Sequence, residues 1–237
     1  MINGIEIMAS AAISQISRLD CATNNIANVN TPGFKAERFR FLKESAGLGT
    51  EAGRSAQGPA TTIDYSQGSI QKTDNVLDLA INGKGFFAVQ TKDGAAYTKD
   101  GRFTLNKDGA IVTRAGDYVL GRQGKIIIAE NDIQISQGGV ISVDGNEIDS
   151  LKIVSFREPS ILVKLNKGLY RDPDNLAGAK KEEESQIQSG YLEFSNVQPI
   201  REMVEMINIQ RTFESYQKVI KTISEQNKMA TNRIGNL

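Results

Sequence analysis

An α+β chain is predicted, with long helices at its two ends and an antiparallel β domain between them. Two heptad-spaced stripes and a series of Asp-Gly turns carry this reading. At the front, Ile5, Ala9, Ala12, Ile16, Leu19, Thr23 and Ile26 alternate steps of four and three. At the back, Met206, Ile209, Phe213, Tyr216, Ile220, Ile223, Asn227, Ala230, Ile234 and Leu237 keep that alternation. A mean step of about 3.5 residues holds one narrow apolar stripe toward a partner helix, as a coiled-coil seam requires. Helices at opposite ends of a chain pair only by closing the middle into a loop. The apolar surface they have left over favours further chains, which is the plan of an assembling subunit.

The first helix is predicted from Ile2 to Val29, about 40 Å long at about 1.5 Å per residue. Ala9, Ser10, Ala11 and Ala12 keep its middle narrow, so a neighbouring helix can come close. It stops at Asn30-Thr31-Pro32-Gly33, because Pro32 disfavours helix at Thr31 and Gly33 permits positive φ. A lone helix of this composition is marginal in water, so its order depends on packing. A basic–aromatic segment, Phe34 to Leu42, comes next. Ala46 to Ser69 is rich in Gly, Ala, Ser and Thr and reads as an extended loop or linker.

From Leu77 to Arg171 the signals are β. Runs such as Phe86-Phe87-Ala88-Val89, Ile126-Ile127-Ile128 and Val140-Ile141-Ser142-Val143 are strand formers. Asp93-Gly94, Asp100-Gly101, Asp108-Gly109 and Asp144-Gly145 punctuate them as hairpin turns. Short strands at this spacing predict a sandwich or a partly open barrel. Asp172 to Ser189, with the charge run Lys180 to Glu184, reads as a solvated loop. The last helix is predicted from an Asn196 N-cap to about Ile234, with Pro199 in its first turn. Three regions result: a helical domain of residues 1–42 and 190–237, an extended linker 43–76, and a β domain 77–189.

Composition narrows the function. The 28 basic and 28 acidic residues cancel, so no global field attracts nucleic acid or an anionic membrane. There is no histidine, which removes the commonest general base and metal ligand. The single Cys21 can make neither an internal disulfide nor a thiolate cluster, and beside the first stripe it reads as a small buried residue. Gly83-Lys84-Gly85-Phe86-Phe87-Ala88 imitates a dinucleotide loop, but a strand sequence follows where a helix N-terminus is needed. Asp172-Pro173-Asp174-Asn175 starts like a calcium loop and fails where Ala177 replaces the required glycine. No enzyme, cofactor or metal is expected. No apolar run reaches eighteen residues and no Sec-type signal is visible, so composition alone suggests the cytoplasm.

The most specific segment is Asn24 to Phe34. Four asparagines, Asn24, Asn25, Asn28 and Asn30, crowd seven residues and weaken a helix. Two readings stay open: the amides cap a fraying helix end, or they latch onto backbone groups of an adjacent subunit.

NNIANVNTPGFK at Asn24 to Lys35 resembles the signature of bacterial flagellar rod and hook proteins. LDLAINGKGFFAV from Leu77, YTKDGRFTL from Tyr97, Gly109 to Gly121, and Gly190 to Thr222 continue the resemblance in order through the chain. The resemblance implies a structural subunit of the flagellar basal-body rod that polymerises through its terminal helices. The shaft so formed transmits torque and encloses the export channel. Implied partners are copies of itself, other rod proteins and the flagellar export apparatus. The implied location is the periplasmic rod, reached without a cleaved signal peptide, which replaces the cytoplasmic reading. The compact segment Ala46 to Ser69 and the opening MINGIEIMASAA look nearer to the proximal-rod type than to the distal-rod or hook types. The predicted subunit interface is Ile5, Ala9, Ala12, Ile16, Leu19, Asn25, Ile26, Asn28, Asn30, Ile209, Phe213, Tyr216, Ile220, Ile223 and Ile234. A secreted β-domain binding module is the alternative from another class; with no Trp and 6% aromatics, it has little to build a platform from.

Overall fold

A computed structural model describes residues 2–41, 59–128, 132–182 and 184–234. The chain forms two compact units, residues 1–27, 37–63 and 198–237 in the first, and 28–36 and 64–197 in the second.

The first unit holds the helices and one hairpin. Helix α1 runs Ile2–Ala27, and α2 runs Pro199–Ile234. Strands β1 (Glu37–Phe41) and β2 (Pro59–Ile63) pair antiparallel, from Glu37↔Ile63 to Phe41↔Pro59. The predicted loop, Ala46 to Ser69, therefore contains a strand; residues 46–58 of it lie outside the described residues. Helix α1 ends two residues earlier than predicted, in a turn closed by Thr31 N–H donating to Asn28 O at 3.1 Å. The start of α2 also moves. Gln198 O accepts the first helical bond from Glu202 N at 3.1 Å, and Pro199 takes the first helical position, where a missing N–H costs nothing.

The second unit is all β. Its strands are β3 (Ile70–Lys72), β4 (Leu79–Asn82), β5 (Phe86–Thr91), β6 (Gly94–Thr98), β7 (Phe103–Leu105), β8 (Ile111–Thr113), β9 (Tyr118–Val119) and β10 (Ile133–Ile135). They continue as β11 (Val140–Val143), β12 (Asn146–Ser150), β13 (Ile153–Phe156), β14 (Val163–Lys164), β15 (Leu169–Arg171), β16 (Ala179–Lys181), β17 (Gln186–Ser189) and β18 (Tyr191–Glu193). The main sheet orders β14-β15-β6-β5-β9-β8-β7, with β13 joined to β5 and β16 to β13. Smaller sheets are β10-β11-β12, β17-β4 and β18-β3, all antiparallel.

The unbroken apolar run of β5 is explained by burial on both faces. Phe87 and Val89 enter the main core with Leu79, Ile81, Ile111 and Ile141. Phe86 faces an aromatic layer instead, edge-on to Tyr65, Tyr170 and Phe156 at 5.5–5.8 Å. Asp144-Gly145 closes the β11–β12 hairpin with both residues at positive φ, 50° and 81°, as a primed turn requires. Asp100-Gly101, predicted as a fourth hairpin, links strands that do not pair with each other. The predicted solvated loop 172–189 is a second correction. It contains β16 and β17, and Ile187, hidden in the sequence behind the charge run, is 2% exposed in the core.

Candidate assembly interface

Helices α1 and α2 run antiparallel, since Asn25 pairs with Glu202 while Arg18, two turns earlier, pairs with Glu205 further along α2. On α2 the covered side carries the predicted stripe. Ile209 is buried, and Met206, Phe213, Tyr216, Ile220 and Ile223 are half-buried.

On α1 the covered side is rotated from the prediction. Ala12, Leu19 and Ile26 lie on it, but Met8, Gln15 and Ala22 replace Ala9, Ile16 and Thr23, which are exposed. The cause is polar satisfaction and size. Buried Gln15 accepts from Arg18 Nη1 at 3.4 Å, and the small Ala12 and Ala22 let neighbours approach. A hydrophobicity stripe ranks Ile16 above Gln15 and cannot see this. The backbones of Ile5 and Ile234 belong to α1 and α2; their side chains lie outside the described residues.

Asn25 is 1% exposed and serves its own chain. Its Oδ1 accepts from Glu37 N at 2.8 Å, and its Nδ2 donates to Glu37 O at 2.9 Å and to Glu202 Oε2 at 3.3 Å. The amide thus imitates a strand partner for the first residue of β1 and is satisfied within its own chain. Glu202 also accepts from Arg38 Nη1 at 3.0 Å, so one nearly buried carboxylate ties α2 to α1 and to β1. Cys21 donates weakly to Glu37 O at 3.3 Å; burial first, then the Glu37 and Glu202 carboxylates, push its thiol up to about 11. It is an inert packing residue. Asn28 and Asn30 belong to the other unit, where Asn28 Oδ1 accepts from Thr31 Oγ1 at 3.2 Å and Asn30 is exposed.

Within the β unit, the segments that lead toward the helical unit are knotted together. Asn196, predicted as an N-cap, accepts on Oδ1 from Ala36 N at 2.8 Å and donates from Nδ2 to Asp64 O at 2.8 Å and Ser66 O at 3.0 Å. Beside it lie two lysines and one carboxylate that sequence reasoning missed. Lys35 Nζ donates to Glu193 Oε1 at 2.6 Å and to Ser66 O at 2.7 Å. Gly68 N donates to the same Oε1 at 2.9 Å. Lys99 Nζ donates to Gly83 O at 2.7 Å and stands 3.8 Å from Glu193 Oε2. Gly33 N donates to Glu193 O at 2.7 Å, at φ +71°, with its α-carbon so close to Asp100 that an added Cβ would lie 2.3 Å from that backbone nitrogen. The signature residues Gly33 and Lys35 thus have a structural role. Lys35 and Glu193 are 158 residues apart, so no local pattern announces the pair.

Lys99 makes this cluster pH-sensitive. Burial lowers its ammonium from 10.5 to about 8, against the opposing pull of Glu193. Below pH 8 the lysine is charged folded or unfolded, and stability does not change with pH on its account. Between pH 8 and 10.5 the unfolded chain holds a proton that the folded chain has released, so stability rises with pH. Tyr65 and Cys21, whose ionisations burial raises, act in the opposite direction at the alkaline end. The difference between parent and Lys99→Met isolates the lysine. In urea titrations at pH 8 and pH 9.5, the parent should gain on Lys99→Met by up to about 1.4 kcal/mol per pH unit. Parallel pH profiles would show that Lys99 keeps an ordinary ammonium.

Three family descriptions match this chain in order: "Flagella basal body rod protein" over residues 5–35, "Flagellar hook protein FlgE/F/G D1 domain" over 80–143, and "Flagellar basal body rod FlgEFG protein C-terminal" over 188–233. Among curated relatives, the flagellar basal-body rod protein FlgF of Caulobacter vibrioides is 34% identical over 245 residues, covering 100% of both chains. The FlgG of Bacillus subtilis is 36% identical over 238 residues, covering 88% of this chain and 90% of the relative. The FlgF of Mesorhizobium japonicum is 28% identical over 241 residues, with 99% of each chain covered.

Proposed function

We infer the role of this chain from one premise: it belongs to the flagellar basal-body rod protein family, as two relatives above 30% identity over most or all of its length establish. It is a structural subunit of the rod in the flagellar basal body. Within the rod we place it in the proximal segment, polymerising through its terminal helices with copies of itself and with other rod proteins. On assembly the terminal helices enclose the export channel, and the shaft carries torque. The chain leaves the cytoplasm through the flagellar export apparatus, uses no cofactor or metal, and catalyses nothing. The helical domain of this reading takes in residues 1–42 and 190–237, with the β domain over 77–189 and a linker between.

The end-to-end match to a FlgF at 34% identity supports the proximal assignment, and FlgG relatives that match over nearly the same extent keep the distal rod as the second reading. The test is a deletion strain. It should lack rods that extend into hooks, and should recover both when the gene is returned. Basal bodies stalled before the distal rod should still contain the chain. Normal flagella in the deletion strain would end the rod assignment, and absence of the chain from the stalled basal bodies would move it to the distal segment.

A further inference from the structure

Within the β unit, a cleft of about 630 Å³ lies where β13 begins, β16 ends and β17 starts. Its floor is apolar: Ile153, Val154 and Ile187 are 8%, 5% and 2% exposed. Its walls are basic, with Arg122, Lys152 and Lys180 all exposed. Among the described residues none of these three makes an ion pair, in a chain whose charges cancel overall. The carboxylates beside the cleft are spent locally. Asp149 accepts from Ser150 N at 2.7 Å and from Gln123 N at 3.4 Å. Glu182 Oε1 accepts from Glu184 N at 3.1 Å, and the Ser155 hydroxyl, ahead of its other neighbours, keeps its carboxyl below the usual range. The glycines of the dinucleotide-like loop shape the site. A Cβ on Gly83 would lie 2.3 Å from Ser185 Oγ, and one on Gly85 2.4 Å from Ile153 Cγ2, so only glycine lets that loop meet the floor.

One wall of the cleft is an open strand. β16 pairs with β13 from Val154↔Lys181 to Phe156↔Ala179, its three residues are exposed, and no described strand takes its other side. An edge left open is a template for an added strand. We propose that this cleft receives an extended, acidic and apolar segment of a partner protein, added along the free edge of β16 with its carboxylates among Arg122, Lys152 and Lys180. The chemistry selects this occupant. Three cations without counter-charges call for acidic side chains. Alternation along a strand lets the apolar side chains of the same segment turn to the floor. An acyl chain fits poorly, because the floor residues are nearly covered and leave no slot to enclose one. A second copy of β16 fits poorly too, since it would set Lys180 and Lys181 against their own likeness.

A fluorescein-labelled octapeptide of alternating Glu and Val, titrated with the full-length protein in dilute salt and followed by anisotropy, tests the cleft. The expected result is saturable binding, with amide NMR shifts centred on Ala179, Lys180 and Lys181. Arg122→Glu and Lys180→Glu change exposed side chains, so each variant should melt like the parent and bind the peptide roughly tenfold more weakly. Octaglutamate, and an octapeptide of alternating Lys and Val, should also bind about tenfold more weakly. A dissociation constant above about 1 mM overturns the proposal. Octaglutamate binding as tightly as the alternating peptide would reduce the cleft to a patch of charge, and unchanged binding by both variants would put the peptide elsewhere; either overturns it. So does tighter binding to phosphatidylglycerol vesicles that Lys180→Glu abolishes, which would make this a membrane site. All of these outcomes leave the rod assignment standing, which the deletion strain decides.

Discussion

Replacing Glu193 by alanine should lower the melting temperature of the β unit by on the order of 10 °C, from a loss of about 3–5 kcal/mol. Lys35 and Lys99 are 1% and 3% exposed, and Glu193 is the carboxylate that both of them face. Removing it takes the nearest counter-charge from two buried ammonium groups and the acceptor from the Gly68 N–H. Against a total stability of about 5–15 kcal/mol, that is a large fraction. Glu193→Gln keeps the shape and an acceptor oxygen but not the charge, so it should fall between parent and alanine. Lys35→Met, Lys99→Met and Glu193→Leu together should recover much of the loss, because apolar side chains of similar volume often replace a buried ion cluster at little cost. Thermal unfolding followed by circular dichroism decides. A Glu193→Ala melting temperature within 2 °C of the parent, on the order of 1 kcal/mol or less, would mean that water reaches the cluster.

Where the sequence could be read, the signal was local. The two helices announce themselves by a repeat of about 3.5 residues, and the strands by β-branched and aromatic runs between Gly turns. Asp144-Gly145 reads correctly because a two-residue primed turn depends on its own φ angles alone. The failures are the non-local ones. Asp100-Gly101 has the same chemistry, but the strands on either side find partners elsewhere. Ile187 is carried into the core by β4, a strand about a hundred residues upstream, which no window around the charge run contains. Asn196 satisfies a plausible N-cap pattern, yet its amide does more by joining Ala36, Asp64 and Ser66.

The candidate interface divides in the same way. A stripe tells which side of a helix is apolar, not which apolar side is used inside the chain and which is kept for another. On α2 the predicted stripe is the covered one from Met206 to Ile223. On α1 it is split, with Ala12, Leu19 and Ile26 covered and Ala9 and Ile16 exposed. Asn25 shows the limit for polar residues: an amide in a helix reads equally as a cap or as a latch until its partner is known, and here the partner is Glu37 of the same chain.

Ile209→Asp should abolish both the helix pairing and flagellar assembly. Ile209 is 2% exposed, the most buried of the described residues of α2, and the half-buried Met206, Phe213 and Tyr216 line the same side of the helix. A carboxylate there has no partner in place, and burying it uncompensated costs several kcal/mol, so the helices part instead. Separate helices of this length and composition are marginal in water, so parting them should also melt them. The monomer should lose much of its helical circular dichroism while the β unit keeps its own transition, and the strain should not swim. Ile220→Asp, at a half-buried position, should act in the same direction and more weakly. Swimming at the parental rate by a strain whose only copy carries Ile209→Asp would rule out the α1–α2 pairing as the element that assembles.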